Sequence, residues 1–142
     1  MDAREVADAT IAAFNAHDEQ QIRESYAPNI VYEAPGGARA EGPDAATDYA
    51  MSWLRAFPDA KVATGNRVAS GDWVVDEFTF TGTHTGTLSG PAGDIPATGR
   101  QLTGHGTQLM RIEGEKIVEF RLYFDQVEVM TQLGLMPEPA TA

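Results

Sequence analysis

The hydrophobic positions of the chain change period once. The first third repeats at three-to-four spacing and most of the remainder alternates. In residues 3–16, Val6, Ala7, Thr10, Ile11 and Phe14 fall on one side of a helix. Asp18, with Gln21 three residues on, forms a cap-and-return pattern that starts a short second helix to about Ser25. Tyr26, Ala27 and Pro28 end it. Ile30–Ala34 predicts a short strand, closed by the turn residues Pro35, Gly36 and Gly37. Pro43 and Asp44 start a third helix with the stripe Ala46, Ala50, Trp53, Leu54 and Phe57, and Pro58 stops it.

From residue 60 the pattern is that of strands. Residues 60–69 form one, with a bulge expected at Gly65. Ser70–Asp72 turn the chain into a strand over 73–83, with Val74, Phe78 and Phe80 facing one way and Val75, Glu77, Thr79 and Thr81 the other. Residues 85–99, rich in glycine and proline, predict a long loop. Such a loop acts as a lid or binding loop, or is only the tip of a hairpin. Strands over 100–112 and 116–125 follow, joined at Glu113–Lys116. Residues 128–135 predict a short helix with Gly134 as its C-cap, before a frayed tail at 137–142. Residues 1–136 are expected to be one domain. Helices gathered on one face of an antiparallel sheet make an α+β fold, and a strongly twisted sheet wrapped around them makes a cone with an open mouth.

Composition narrows the functions such a cone can have. The 142 residues include 21 acidic and 10 basic ones, for a net charge of −11. That field repels phosphate backbones and anionic lipid, so neither nucleic acid nor a membrane surface is an expected partner. There is no cysteine, which excludes disulfides, thiolate metal sites and a cysteine nucleophile, and suits the cytoplasm. The charged N-terminus lacks an apolar signal core, and no apolar run approaches the roughly 20 residues that span a bilayer. Walker, Rossmann, nucleophile-elbow and zinc-protease motifs are missing, and His17, His84 and His105 have no metal-ligand spacing. No cofactor and no metal are expected.

The candidate chemistry is therefore acid/base. Asp125 ends an apolar strand, where desolvation raises a carboxyl pKa toward a value that suits proton transfer. It is also placed to cap the following helix, the role that pattern alone favours. A hairpin centred on Gly114–Glu115 sets Gly104 opposite Asp125 and His105 one step away. A one-residue bulge would bring imidazole and carboxylate onto one face, and an unbroken ladder would separate them. Gln108 faces Arg121, and Tyr123 shares the face of Asp125. Arg121 is either a buried cation needing Asp125 or Glu33 as partner, or an ordinary residue on the convex face. Glu33 either looks into the mouth as a second acid or is solvated at a strand edge. Tyr32, Tyr49, Trp53 and Phe57 are core or pocket wall, and His84 lines the rim or bonds loop backbone.

Three segments extend this picture: FTGTHTG at 80–86, IPATG at 95–99, and RIEGEKIVEF at 111–120 running into YFDQ at 123–126 and QLG at 132–134. With VYEAP at 31–35 and Asn15 in the first helix, they resemble the SnoaL-like polyketide cyclase (ester cyclase) family of the nuclear transport factor 2-like superfamily. The resemblance spans nearly the whole chain. It implies a cone-shaped α+β barrel with a curved mixed or antiparallel sheet around the N-terminal helices, a homodimer packed through the sheet, and cofactor-free catalysis on a mostly apolar, carbonyl-bearing small molecule. In such cyclases an aspartate on the last strand is acid and base in an intramolecular aldol closure, which by motif position is Asp125. A histidine on the neighbouring strand assists, and His105 is the candidate. Many members carry an aromatic residue at the position of Arg121 and a histidine near Glu33, and residues 91–94 resemble an insertion. Two other functions fit the same cone: epoxide ring opening by Glu33, Asp125 and Arg121, and a non-catalytic binding or docking module.

Overall fold

The computed structural model describes residues 1–90 and 93–136. The expected tail at 137–142 lies outside the described residues, as do Pro91 and Ala92 of the loop. Three helices come first with a strand pair between them: α1 (Ala3–Asn15), α2 (Glu19–Glu24), β1 (Tyr26–Ala34), β2 (Ala38–Glu41) and α3 (Pro43–Ala56). Then follow β3 (Lys61–Ser70), β4 (Trp73–Thr83), the short β5 (Leu88–Gly90) and β6 (Gly93–Ile95), β7 (Gln101–Glu113), β8 (Lys116–Phe124) and α4 (Gln126–Gln132).

Local chemistry explains the helix starts. Asp2 caps α1 through the Glu5 amide at 2.9 Å, and the Glu5 carboxylate returns to the Asp2 amide, two of the N–H groups a helix start leaves unpaired. Asp18 accepts from the Gln21 amide at 3.1 Å, the cap its spacing anticipates. At α3, Gly42 takes φ 86° ahead of Pro43, a left-handed backbone that favours glycine.

Six strands form one sheet in the order β2-β1-β8-β7-β4-β3. β1 lies parallel to β8 and every other neighbour is antiparallel, so the sheet is mixed. β1 begins four residues before the expected strand. Pro28 is tolerated there because the β1–β8 register shifts between Tyr26 and Val31, and no ladder bond is asked of it. The charged alternation ARAE hides β2, which pairs Ala38 with Ala34 across the Pro-Gly-Gly turn. In β3 the register shifts between Thr64 and Arg67, the stretch that holds Gly65.

The concave face of this sheet carries Val74, Phe80, Leu102, Met110, Ile117 and Phe120, all buried against Val6, Ala7, Ile22, Ala46 and Leu54 of the helices. Each large side chain here adds about 1.5–3 kcal/mol of burial. Alternation along β4 also carries Asp76 inward, where it is fully buried. Arg67 clamps it with two bonds of 2.6 and 2.9 Å and reaches on to Asp8 of α1 at 2.8 Å. The clamp supplies the bidentate geometry a buried carboxylate requires and fastens α1 to the edge of the sheet.

The long loop is ordered by contacts at both ends. The Thr85 and Gly86 amides donate to the Ala56 carbonyl at 3.2 and 3.0 Å, and Leu88 is buried. A Cβ at Gly86 would lie 2.0 Å from the Arg55 carbonyl oxygen, so only glycine passes the end of α3. His84 is fully buried and stacks on Phe57, with ring centroids 5.2 Å apart. Its Nδ1 accepts from the Thr98 amide at 3.2 Å, and the Gly99 amide donates to the His84 carbonyl. The two segments between these anchors pair as the β5–β6 hairpin.

Candidate active site

Among the described residues the sheet and helices enclose an aromatic-walled cavity. Its open volume of about 100 Å³ is well beyond the roughly 10–15 Å³ needed for a single water, so it is a true void rather than a packing defect. Aromatic rings form much of the wall: Phe14 of α1, Trp53 of α3, Phe78 and Phe80 of β4, Phe120 and Phe124 of β8. They brace one another. Trp53 meets Phe124 edge-on at 5.4 Å and Phe80 at 5.8 Å, and Tyr32 stacks on Phe120 at 4.4 Å with planes only 6° apart. Half-buried Ile11, Phe78 and Leu122 lie toward the opening, whereas Tyr26, Tyr32, Ile22 and Phe120 are buried at the inner end.

Polar groups are few and separated. No Asp, Glu, Lys or Arg lines the cavity among the described residues. Gln108 lines its middle, Tyr26 and Tyr32 its inner end, and His105 its rim. Burial pushes the Tyr26 and Tyr32 phenols above their ordinary range, and each remains a neutral donor at physiological pH.

The register sets the two expected catalytic residues side by side, and of the two only His105 lines the cavity. A shift between Arg111 and Ile112 in the β7–β8 ladder puts Gly106 opposite Phe124, so one further step sets position 105 beside 125. That is the bulged alternative, and both residues alternate away from the inward set Gly104, Gly106, Gln108. Asp125 is the N-cap of α4: its carboxylate accepts from the Val127 amide at 2.8 Å and the Glu128 amide at 3.3 Å, and it is not part of the cavity wall. His105 is held by Glu128, whose carboxylate accepts from the His105 backbone amide at 3.1 Å and lies 3.2 Å from Nδ1. Sequence reasoning passed over Glu128, although its place in the first turn after a capping Asp was visible.

The other candidates divide. Tyr32, Trp53 and Gln108 line the cavity. Tyr49 stands behind Tyr32, 5.1 Å between ring centroids, and lines a separate shallow pocket with Arg39 and Asp48. Phe57 is buried behind the wall against Trp53, Phe80 and His84. Arg121 and Tyr123 project from the outer side: Arg121 lies 3.6 Å from Glu119, and Tyr123 is 56% exposed. Glu33 points to solvent and pairs with Arg39 at 3.2 Å. His84 lies outside the wall and bonds the loop backbone, the second of its two alternatives, and no described residue of 84–99 lines the cavity. The physical reason is the set of backbone bonds that hold it to the end of α3. Tyr26 is the wall residue the sequence concealed. It looks like the breaker of α2, and only the early start of β1 turns it inward.

Residues 4–133 match the model of the SnoaL-like polyketide cyclase family. The chain belongs to this family. A curated SnoaL-like relative, aklanonic acid methyl ester cyclase DnrD of Streptomyces peucetius, is 30% identical over 130 residues, covering 87% of this chain and 85% of that one. Solved structures repeat the fold. A candidate SnoaL-like polyketide cyclase from Jannaschia sp. CCS1 superposes with a TM-score of 0.83 at 22% identity, covering 95% of this chain and 93% of the other. IdmH, a candidate polyketide cyclase from Streptomyces antibioticus, gives 0.78 at 24% identity over 94% and 99%. An epoxide hydrolase of Mycobacterium tuberculosis gives 0.71 at 18% identity over 92% and 88%. The SnoaL-like cone is thus shared by proteins with different named activities, and the reaction has to be argued from the site.

Proposed function

We propose that this SnoaL-like chain is a cofactor-independent enzyme that closes a ring in a neutral, largely aromatic, carbonyl-bearing molecule by acid/base catalysis. The observation that carries the reading is a cavity walled by braced aromatic rings and free of Asp, Glu, Lys and Arg among the described residues, with His105 the one titratable side chain of its wall besides the phenols. Such a cavity favours a flat apolar substrate and holds it folded, which is an entropic contribution to closure. A neutral substrate suits it, because a carboxylate would enter without a cation to receive it.

In this reading Asp125 removes a proton α to a carbonyl at the rim and returns one to the alkoxide that forms. Its two bonds to α4 amides hold the carboxylate in one orientation. His105, oriented by Glu128, is the neighbouring donor. Gln108 is the neutral donor nearest the middle of the cavity. Positioned proton transfer contributes about 10²–10⁴-fold. The pairing of copies through the outer face, where Trp73 and Tyr123 are exposed, belongs to the same proposal.

Aklanonic acid methyl ester, the compound in the name of the S. peucetius relative, is the first substrate to assay. Turnover that falls at least about 100-fold in Asp125→Asn, with binding retained, supports the reading. Full activity in that variant sinks it. One observation favours a second reading, a binding module: the Asp125 carboxylate is already engaged by backbone donors. That reading expects the wild-type protein to bind such molecules and turn over none. Epoxide opening is disfavoured, since Glu33 is paired with Arg39 in solvent and Arg121 lies on the outer side.

A further inference from the structure

Tyr26 and Tyr32 stand at the inner end of the cavity, 5% and 6% exposed, with ring centroids 6.3 Å apart. Neither phenol oxygen has a hydrogen-bond partner among the described residues. The fully enclosed polar atoms that lack a partner are Thr47 Oγ1, His84 Nε2, Glu119 Oε2 and Thr131 Oγ1. The phenol oxygens are not among these, so both reach free volume; Tyr26 borders the cavity, and Tyr32 borders both the cavity and the neighbouring pocket lined by Arg39, Asp48 and Tyr49. Two nearby buried tyrosines whose hydroxyls have no protein partner are unmet donors that an acceptor in the cavity would satisfy.

The strand register fixes how far that demand lies from the rim. Tyr32 is level with Phe120 on β8, and Phe124 precedes Asp125 at the other end of the same strand. Four residues of extended chain put these levels about 13 Å apart. No single oxygen serves both ends. Gln108, opposite Leu122, stands between them.

We infer that the inner end of the cavity is a second polar subsite, in which Tyr26 and Tyr32 donate hydrogen bonds to an uncharged oxygen acceptor, a ketone or ester carbonyl, on the end of an elongated ligand remote from the rim. The inference rests on the reading that the cavity takes a small molecule and not on which residue does chemistry there. Burial holds both phenols protonated, and stacking on Phe120 holds the Tyr32 ring in place to donate. The subsite would select ligands by an oxygen far from the reacting carbon and fix which end enters first.

The test uses the whole protein and two flat probes of the same shape, 9-fluorenone, which has one carbonyl, and fluorene, which has none. The wild type is expected to bind fluorenone about 5- to 150-fold more tightly, the value of two neutral hydrogen bonds. Its carbonyl stretching band is expected to move to lower frequency on binding. In Tyr26→Phe/Tyr32→Phe both the preference and the band shift disappear, while fluorene affinity is unchanged. Equal binding of the two probes by the wild type overturns the subsite and leaves the cavity reading intact. A preference that survives in the double variant and is lost in Gln108→Leu overturns it too, by moving the acceptor to Gln108. Binding of neither probe overturns the subsite together with the small-molecule reading on which it rests.

Discussion

Asp125 has two roles open to it, and they respond differently to the same substitutions. As an N-cap it needs only a side-chain oxygen, which Asn supplies about as well as Asp. As a proton carrier it needs a carboxyl group. Asp125→Asn is therefore expected to melt within a degree or two of the wild type, whereas Asp125→Ala loses about 1 kcal/mol with the cap. Calorimetry on the two variants separates the roles, and a large loss of stability in Asp125→Asn would assign a fold role to the charge itself. His84 makes a different prediction. Burial lowers its pKa from the ordinary 6.5, so the folded state holds the ring neutral and the unfolded chain takes up the proton first. The stability this provides is fully present above pH 6.5 and is lost as pH falls from there toward the folded value. Melting temperatures measured between about pH 7 and 5 are expected to fall more steeply for the wild type than for His84→Gln. Parallel curves would contradict it.

Elements were legible where one force decided them. The stripe Val6, Ala7, Thr10 and the alternation along β4 were sufficient for α1 and β4, because burial on one face leaves one period. β2 and the first half of β1 were hidden, since their stability comes from pairing with each other and with β8 and not from their own composition. The same holds for the site. Tyr32, Trp53 and Gln108 announce themselves on apolar faces, but Tyr26 sits two residues before a proline, and the outward turn of Glu33 depends on Arg39 across a hairpin. Asp76 was overlooked because its inward position is tolerable only with Arg67, and that partner lies across the β3–β4 ladder, displaced by a bulge. Arg67→Met leaves Asp76 charged and buried without its clamp and frees α1 from Asp8. A loss of about 3–5 kcal/mol in urea unfolding is expected. A loss below about 1 kcal/mol would show that solvent reaches the carboxylate.

At the scale of the whole molecule, a mixed sheet closes on helices to leave an apolar void among the described residues. Among the described residues no helix is long and apolar enough to cross a membrane. The outer face of the sheet presents Trp73, over which Arg111 stacks at 5.9 Å, and Tyr123. If copies pair there, light scattering after gel filtration gives twice the 15.3 kDa chain mass, and Tyr123→Glu returns the protein to one chain. A single-chain mass for the wild type at high concentration would contradict the pairing. What unites these features is the claim that the void is a reaction chamber with its proton carrier at the rim, and isotope exchange tests it most directly. Aklanonic acid methyl ester is incubated with the protein in heavy water and followed by mass spectrometry and NMR. The account predicts deuterium at the carbon α to the carbonyl with wild-type protein, at a rate that collapses in Asp125→Asn. Exchange at the wild-type rate in that variant, or no exchange with the wild type although the compound binds, would contradict it.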